Sequence, residues 1–181
     1  MLQNLRNPRV LLLHGWGGKK ENHWLTWIES ELHTRNIVTF FPKIPNNYNP
    51  NLTKWLTHID HYINDFKPTI VIAHSLGAVA WWHYQTNNAY PLEKLISVAP
   101  PTFASFPAKM STFFPLPKPL FREKSHTTIY ALDDRNIDAS TLQDIAMLNK
   151  ITLYTKDRGE HLDHFSKTST LEELLKVLNF S

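Results

Sequence analysis

Short apolar runs alternate with stretches of helical spacing along the whole chain. Arg9–Leu13 is continuously apolar after its first residue, and the β-branched or apolar runs 37–41, 69–73, 94–99, 127–132 and 151–154 follow it. Runs this short that are apolar throughout, rather than alternately, predict strands buried on both faces of a parallel sheet. Between them the period changes. Trp24, Trp27, Ile28 and Leu32 predict a helix with Asn22 as its N-cap, and Leu52, Trp55, Leu56, Ile59, Tyr62, Ile63 and Phe66 follow the 3.6 period after a cap at Asn51. Further helices are predicted from Ala78 to about Asn87, near 140–148, and over 171–178 behind a Ser/Thr-rich cap. Strands alternating with helices at this spacing make βαβ units. Right-handed crossovers then give an α/β fold of three layers, α/β/α, with a mainly parallel central sheet of about six strands. No internal repeat interrupts the pattern, and residues 1–181 are expected to form one domain.

The junction Ala73-His74-Ser75-Leu76-Gly77 lies where the third run stops and a helix begins. A serine there sits on a sharp strand-to-helix turn, its hydroxyl pushed out at the top of the sheet, with small residues two before and two after it. Open α/β sheets bind ligands beyond the carboxyl ends of their strands. The 14–18 turn and the Leu132-Asp133-Asp134 segment also fall at strand ends, so they can converge on Ser75. A serine hydroxyl needs a base within hydrogen-bond reach and a carboxylate to hold the tautomer of that base. In the order Ser, acid, His, the candidates are Ser75, Asp134 and His161. Asp133 is the adjacent rival acid, although Asp134 has the apolar anchor Ile137 three residues on; His164 is the rival base. For an oxyanion the expected donors are the backbone N–H of Leu76, at a helix N-terminus, and that of Trp16, flanked by glycines. Residues 134–138 also resemble the start of a calcium loop, but Ala139 replaces its glycine and Ile145 its closing glutamate.

Composition narrows the chemistry. The chain has 181 residues, 42% of them hydrophobic, and no cysteine, which excludes a disulfide framework, thiolate catalysis and Cys-ligated zinc. Nineteen Lys and Arg against 16 acids give a net charge of +3 without a concentrated basic block, so nucleic acid is not an expected partner. The apolar stretch 10–13 is too short for a signal peptide or a membrane span, and a soluble cytoplasmic protein is expected. No cofactor or metal is expected; His58 and His61 share a helix face but lack a third ligand.

Taken together, these motifs resemble the small serine hydrolases of the retinoblastoma-binding protein 9 family. The resemblance runs through His14-Gly15-Trp16-Gly17-Gly18, Asn22-His23-Trp24 with Trp27, Phe41-Pro42, Pro50 and Trp55. It continues through residues 74–78, Val98-Ala99-Pro100, Asp133-Asp134 and the 159–161 turn. It implies a minimal α/β-hydrolase fold, a Ser75-His161-Asp134 triad and, as substrates, small carboxylic esters or related acyl compounds, cleaved by way of an acyl-enzyme. The chain departs from the family pattern at Ala73 and Glu160, where glycine is usual, and at Arg135 and Asp138, where prolines are usual. Half of the 12 prolines fall in residues 100–121, interleaved with phenylalanines. This stretch is expected either to arch over the site as an apolar wall or to cover the core; a protein-docking surface is a third role. Two other functions share the scaffold: a non-catalytic interaction module and a non-hydrolytic enzyme.

Overall fold

The computed structural model describes residues 8–19, 21, 23–102, 108–118 and 123–162. The helix expected over 171–178, the cap Asn22, the rival base His164 and the 103–107 and 119–122 parts of the Pro/Phe stretch lie outside them. Six strands are present: β1 (Arg9–Leu13), β2 (Val38–Phe40), β3 (Ile70–His74), β4 (Lys94–Val98), β5 (Ser125–Ala131) and β6 (Thr152–Lys156). They form one sheet in the order β2-β1-β3-β4-β5-β6, and every pairing is parallel. The helices α1 (Trp24–Thr34), α2 (Leu52–Phe66), α3 (Leu76–Asn88) and α4 (Ala139–Asn149) alternate with the strands, giving the α/β hydrolase-like architecture.

Each central strand sends alternate side chains to opposite faces, and both faces are covered. Val10, Leu12, Ile70 and Ile72 pack with Trp24, Leu25, Ile28 and Leu32 of α1 on one side. Leu11, Leu13, Val71 and Ala73 pack with residues of α2, α3 and α4 on the other. This double burial is why the strands are apolar throughout. β6 is an edge strand, and its residues are partly or fully exposed.

Local differences from the sequence pattern have local causes. The cap of α1 is His23, whose imidazole Nδ1 accepts the Leu25 N–H at 3.1 Å. β5 starts two residues early because its register pairs Ser125 with Lys94, and β6 runs on to Lys156 opposite Ala131. In the Pro/Phe stretch, Ala108–Phe113 forms a 3₁₀ helix. Met110 and Phe113 belong to the core, with the Phe113 ring edge-on to Trp55 at 5.3 Å. Phe113 therefore covers core and does not wall a substrate.

The chain runs from β1 to β2 in one direction and from β3 to β6 in the other. The sheet order thus reverses between β1 and β3, and the loops leaving these two strands diverge to leave a crevice at their carboxyl ends. Ser75 and the 14–18 turn lie there.

Candidate active site

Ser75 follows β3 without a connecting residue and sits at φ 54°, ψ −129°. That region is sparsely populated for a residue with a side chain, and it is held here by hydrogen bonds on both sides: Ser75 N–H donates to Val98 O at 2.9 Å, and Ala78 N–H donates to Ser75 O at 2.9 Å. The turn aims the hydroxyl away from the helix, and the side chain makes no cap bond. Two glycines permit the close approach of β1 and its following turn. A Cβ on Gly77 would lie 2.5 Å from His14 O and 2.9 Å from Leu13 O. One on Gly15 would lie 2.5 Å from Ser75 Cβ.

The structure brings Ser75, His161 and Asp134 into one hydrogen-bonded row. Ser75 Oγ is 2.7 Å from His161 Nε2, and His161 Nδ1 is 2.8 Å from Asp134 Oδ2. A carboxylate only accepts, so Nδ1 carries the proton and Nε2 is the acceptor for the Ser75 hydroxyl. Asp134 is buried, and its other oxygen accepts the Asn136 N–H at 2.8 Å, which fixes the carboxylate plane. Asp133, one residue earlier, does not touch the imidazole. Its Oδ1 accepts the N–H groups of Gly159 and Glu160, at 2.9 and 2.8 Å.

Of the two backbone donors expected for an oxyanion, Leu76 N–H directly follows the serine, and the turn that carries Trp16 passes close to it, since a Cβ on Gly15 would lie 2.5 Å from Ser75 Cβ. Leu76 N–H is the first of α3, where the helix dipole favours an anion. The Gly15 carbonyl accepts from His14 Nδ1 at 2.8 Å and from Gly18 N–H at 3.3 Å. Because a trans peptide points its N–H opposite to its C=O, the Trp16 N–H points away from the Gly15 carbonyl and its two donors. His14 in turn accepts the Ile44 N–H on Nε2 at 2.9 Å, so both its ring nitrogens are engaged. Burial, the largest influence, holds His14 below the ordinary histidine value and therefore neutral. The Trp16 side chain is largely exposed beside Tyr48, 5.7 Å away edge-on, and carries the Lys109 ammonium over its face at 4.9 Å.

A second Ser–His contact, Ser97 Oγ to His126 Nε2 at 3.0 Å, lies inside the fold. Both residues are buried, and Trp82 Nε1 donates to the same Ser97 Oγ. Burial pushes His126 down to about 3, so this imidazole stays uncharged. It is a core polar network, shut off from any substrate. His58 stacks on Tyr62, while His61 pairs with Asp65 at 3.3 Å on the surface of α2.

A family model described as serine hydrolase matches residues 10–180. The chain belongs to the serine hydrolase family. Among curated proteins it is similar to YdeN of Bacillus subtilis (strain 168), named as a hydrolase, with 26% identity over 161 residues, 84% of this chain and 85% of that one. The solved structure of the B. subtilis ydeN gene product superposes with a TM-score of 0.76 at 22% identity, covering 96% of this chain and 100% of that one. A hydrolase of the α/β superfamily from Xanthomonas campestris gives 0.77 at 15% identity, over 96% and 99% of the two chains. Est1E from Butyrivibrio proteoclasticus gives 0.70 at 14% identity, over 99% and 90%. These likenesses show the α/β-hydrolase fold. Family membership supplies the hydrolase chemistry.

A solvent-open cleft of about 400 Å³ adjoins the imidazole, lined by Asp133, Asp134, Arg135, Asn136, Glu160 and His161. Ser75 is not part of its lining, so the cleft borders the acid side of the histidine. No helix among the described residues is long and apolar enough to cross a membrane.

Proposed function

We propose that this serine hydrolase cleaves small carboxylic esters or related acyl compounds through an acyl-enzyme on Ser75. The observation that carries the reading is the unbroken row from Ser75 Oγ through His161 to Asp134, at 2.7 and 2.8 Å. In this mechanism Ser75 Oγ attacks the acyl carbon while its proton passes to His161 Nε2. The carbonyl oxygen becomes an anion and is received by the N–H groups of Leu76 and Trp16. His161 then protonates the leaving alkoxide, which departs as an alcohol. Water, deprotonated by the same imidazole, attacks the acyl-enzyme, and Ser75 Oγ takes the proton back. Asp134 does not exchange protons; it holds the tautomer and stabilises the imidazolium. Every step uses protein groups and water, and the expected partner is the small-molecule substrate.

We also assign the chain to the retinoblastoma-binding protein 9 group within the family. The His14-Gly15-Trp16-Gly17-Gly18 turn and the Val98-Ala99-Pro100 and Asp133-Asp134 segments support that narrower placement. Short acyl groups suit the site, because no described segment forms a large lid. A series of p-nitrophenyl esters tests the reading: acyl chains of about two to six carbons should turn over fastest, with a burst of p-nitrophenol equal to the enzyme present. Preference for long-chain triglycerides would overturn the size assignment. Folded protein that hydrolyses no ester or related acyl compound would favour a non-catalytic module.

A further inference from the structure

We propose that His74 and Asp133, the residues directly preceding Ser75 and Asp134, are positioning residues that together clamp the backbone around His161. The inference rests on the triad reading above and assigns roles to two residues outside the triad. In each pair of chain neighbours, the second residue meets the His161 side chain and the first holds its main chain.

The His161 loop needs such holding. β6 ends at Lys156, and between there and Leu162 the backbone bond seen among the described residues of the loop is Leu162 N–H to Gly159 O, 2.9 Å. Glu160 and Leu162 both adopt left-handed φ, 47° and 55°. Non-glycine residues do so only where the surroundings impose it. On the N-terminal side, Asp133 Oδ1 accepts two successive N–H groups, from Gly159 and Glu160. On the C-terminal side, His74 Nε2 donates to the His161 carbonyl at 3.1 Å. The His74 ring lies 5.3 Å from the His161 ring, with His23 and Trp24 against it at 5.1 and 5.6 Å, so it has little room to turn. With both peptide flanks fixed, the imidazole has only its two side-chain torsions left, and Ser75 and Asp134 fix those.

Electrostatics agree. Burial pushes His74 well below the ordinary histidine value, with the neighbouring His161 adding to the shift. A neutral His74 can hold the carbonyl without opposing the positive charge that forms on His161 during turnover. Asp133 is exposed, and its anionic oxygen makes charge-assisted bonds to the two N–H groups.

The test compares removal of each contact with a variant that keeps it. Asp133→Ala and His74→Leu delete the acceptor and the donor; Asp133→Asn and His74→Gln retain them. On p-nitrophenyl butyrate, the deleting variants should lose kcat by roughly 10- to 100-fold with KM within about twofold, since a small misplacement of a catalytic group acts on turnover. The retaining variants should recover most of that rate. The downfield proton NMR signal of His161 Nδ1–H should broaden or vanish in Asp133→Ala and persist in Asp133→Asn. If His74→Leu does not fold, the Asp133 pair and His74→Gln still decide the matter. A folded Asp133→Ala protein with wild-type kcat and an intact imidazole signal overturns the proposal while leaving the triad standing. Wild-type protein without turnover, or turnover persisting in Ser75→Ala, overturns the triad reading instead; the NMR comparison then still tests the clamp.

Discussion

Gly15 has no room for a side chain, since a Cβ there would sit 2.5 Å from Ser75 Cβ and 3.0 Å from its Oγ. Gly15→Ala must therefore displace the serine or the turn that carries the Trp16 N–H. It is expected to reduce kcat at least 10²-fold by analogy with loss of one oxyanion donor, while circular dichroism shows the sheet retained; unchanged kcat would mean that the turn lies away from the reaction. The two aspartates divide differently. Asp134→Asn removes the acceptor that sets the His161 tautomer and should lower kcat by up to ~10⁴-fold. Asp133→Asn keeps an oxygen facing Gly159 and Glu160, so its effect should be far smaller, and the reverse ranking would reassign the acid. The choice between the two was legible in the sequence from Ile137, whose side chain packs into both core clusters three residues after Asp134. The tasks of His14, His74 and Asp133 were not. Their bonds run to backbone atoms of Gly15, His161, Gly159 and Glu160, and main-chain partners leave no residue-type signal.

Capping and burial explain the elements themselves. Asn51 Oδ1 accepts the Lys54 N–H at 3.1 Å and starts α2. Asn51→Ala should cost about 1 kcal/mol of stability, seen as a lower thermal midpoint with kcat for esters unchanged; an equal midpoint would show the cap to be dispensable. This helix was legible because one face is apolar and the other wet. α3 is different, with nine of its residues buried from Leu76 to Gln85, so its apolar positions do not form a stripe. Its start was legible only from the strand before it and the small residues around Ser75. The 3₁₀ helix at Ala108–Phe113 left no mark in the pattern, because two tight turns between prolines are too short a run to show a period. The apolar strands came through best, since parallel strands covered on both faces can use little but Val, Ile, Leu and Ala.

Three buried histidines tie the stability of the fold to pH. His14, His74 and His126 are each held below the ordinary value of 6.5, chiefly by desolvation. Below 6.5 the unfolded chain binds protons that the folded chain refuses, so stability falls as pH falls; for His126 the window extends down to about 3. Each such group can remove up to about 1.4 kcal/mol per pH unit within its window. The urea midpoint should therefore hold near neutrality and drop between pH 6.5 and 5. A flat midpoint over that range would show that these imidazoles are not excluded from protonation. The candidate site draws on four strands of the sheet, with the 14–18 turn after β1, Ser75 after β3, Asp134 after β5 and His161 after β6. All four ends lie on one side because the strands are parallel, which is why chain order and strand ends sufficed to nominate the residues, while their distances needed the fold. The most direct test is intact-mass and peptide mapping of the protein after treatment with a fluorophosphonate. One adduct on Ser75, absent in a folded Ser75→Ala variant, is the expected result. An adduct on another residue, or none on well-folded wild-type protein, would contradict the assignment of Ser75 as the nucleophile.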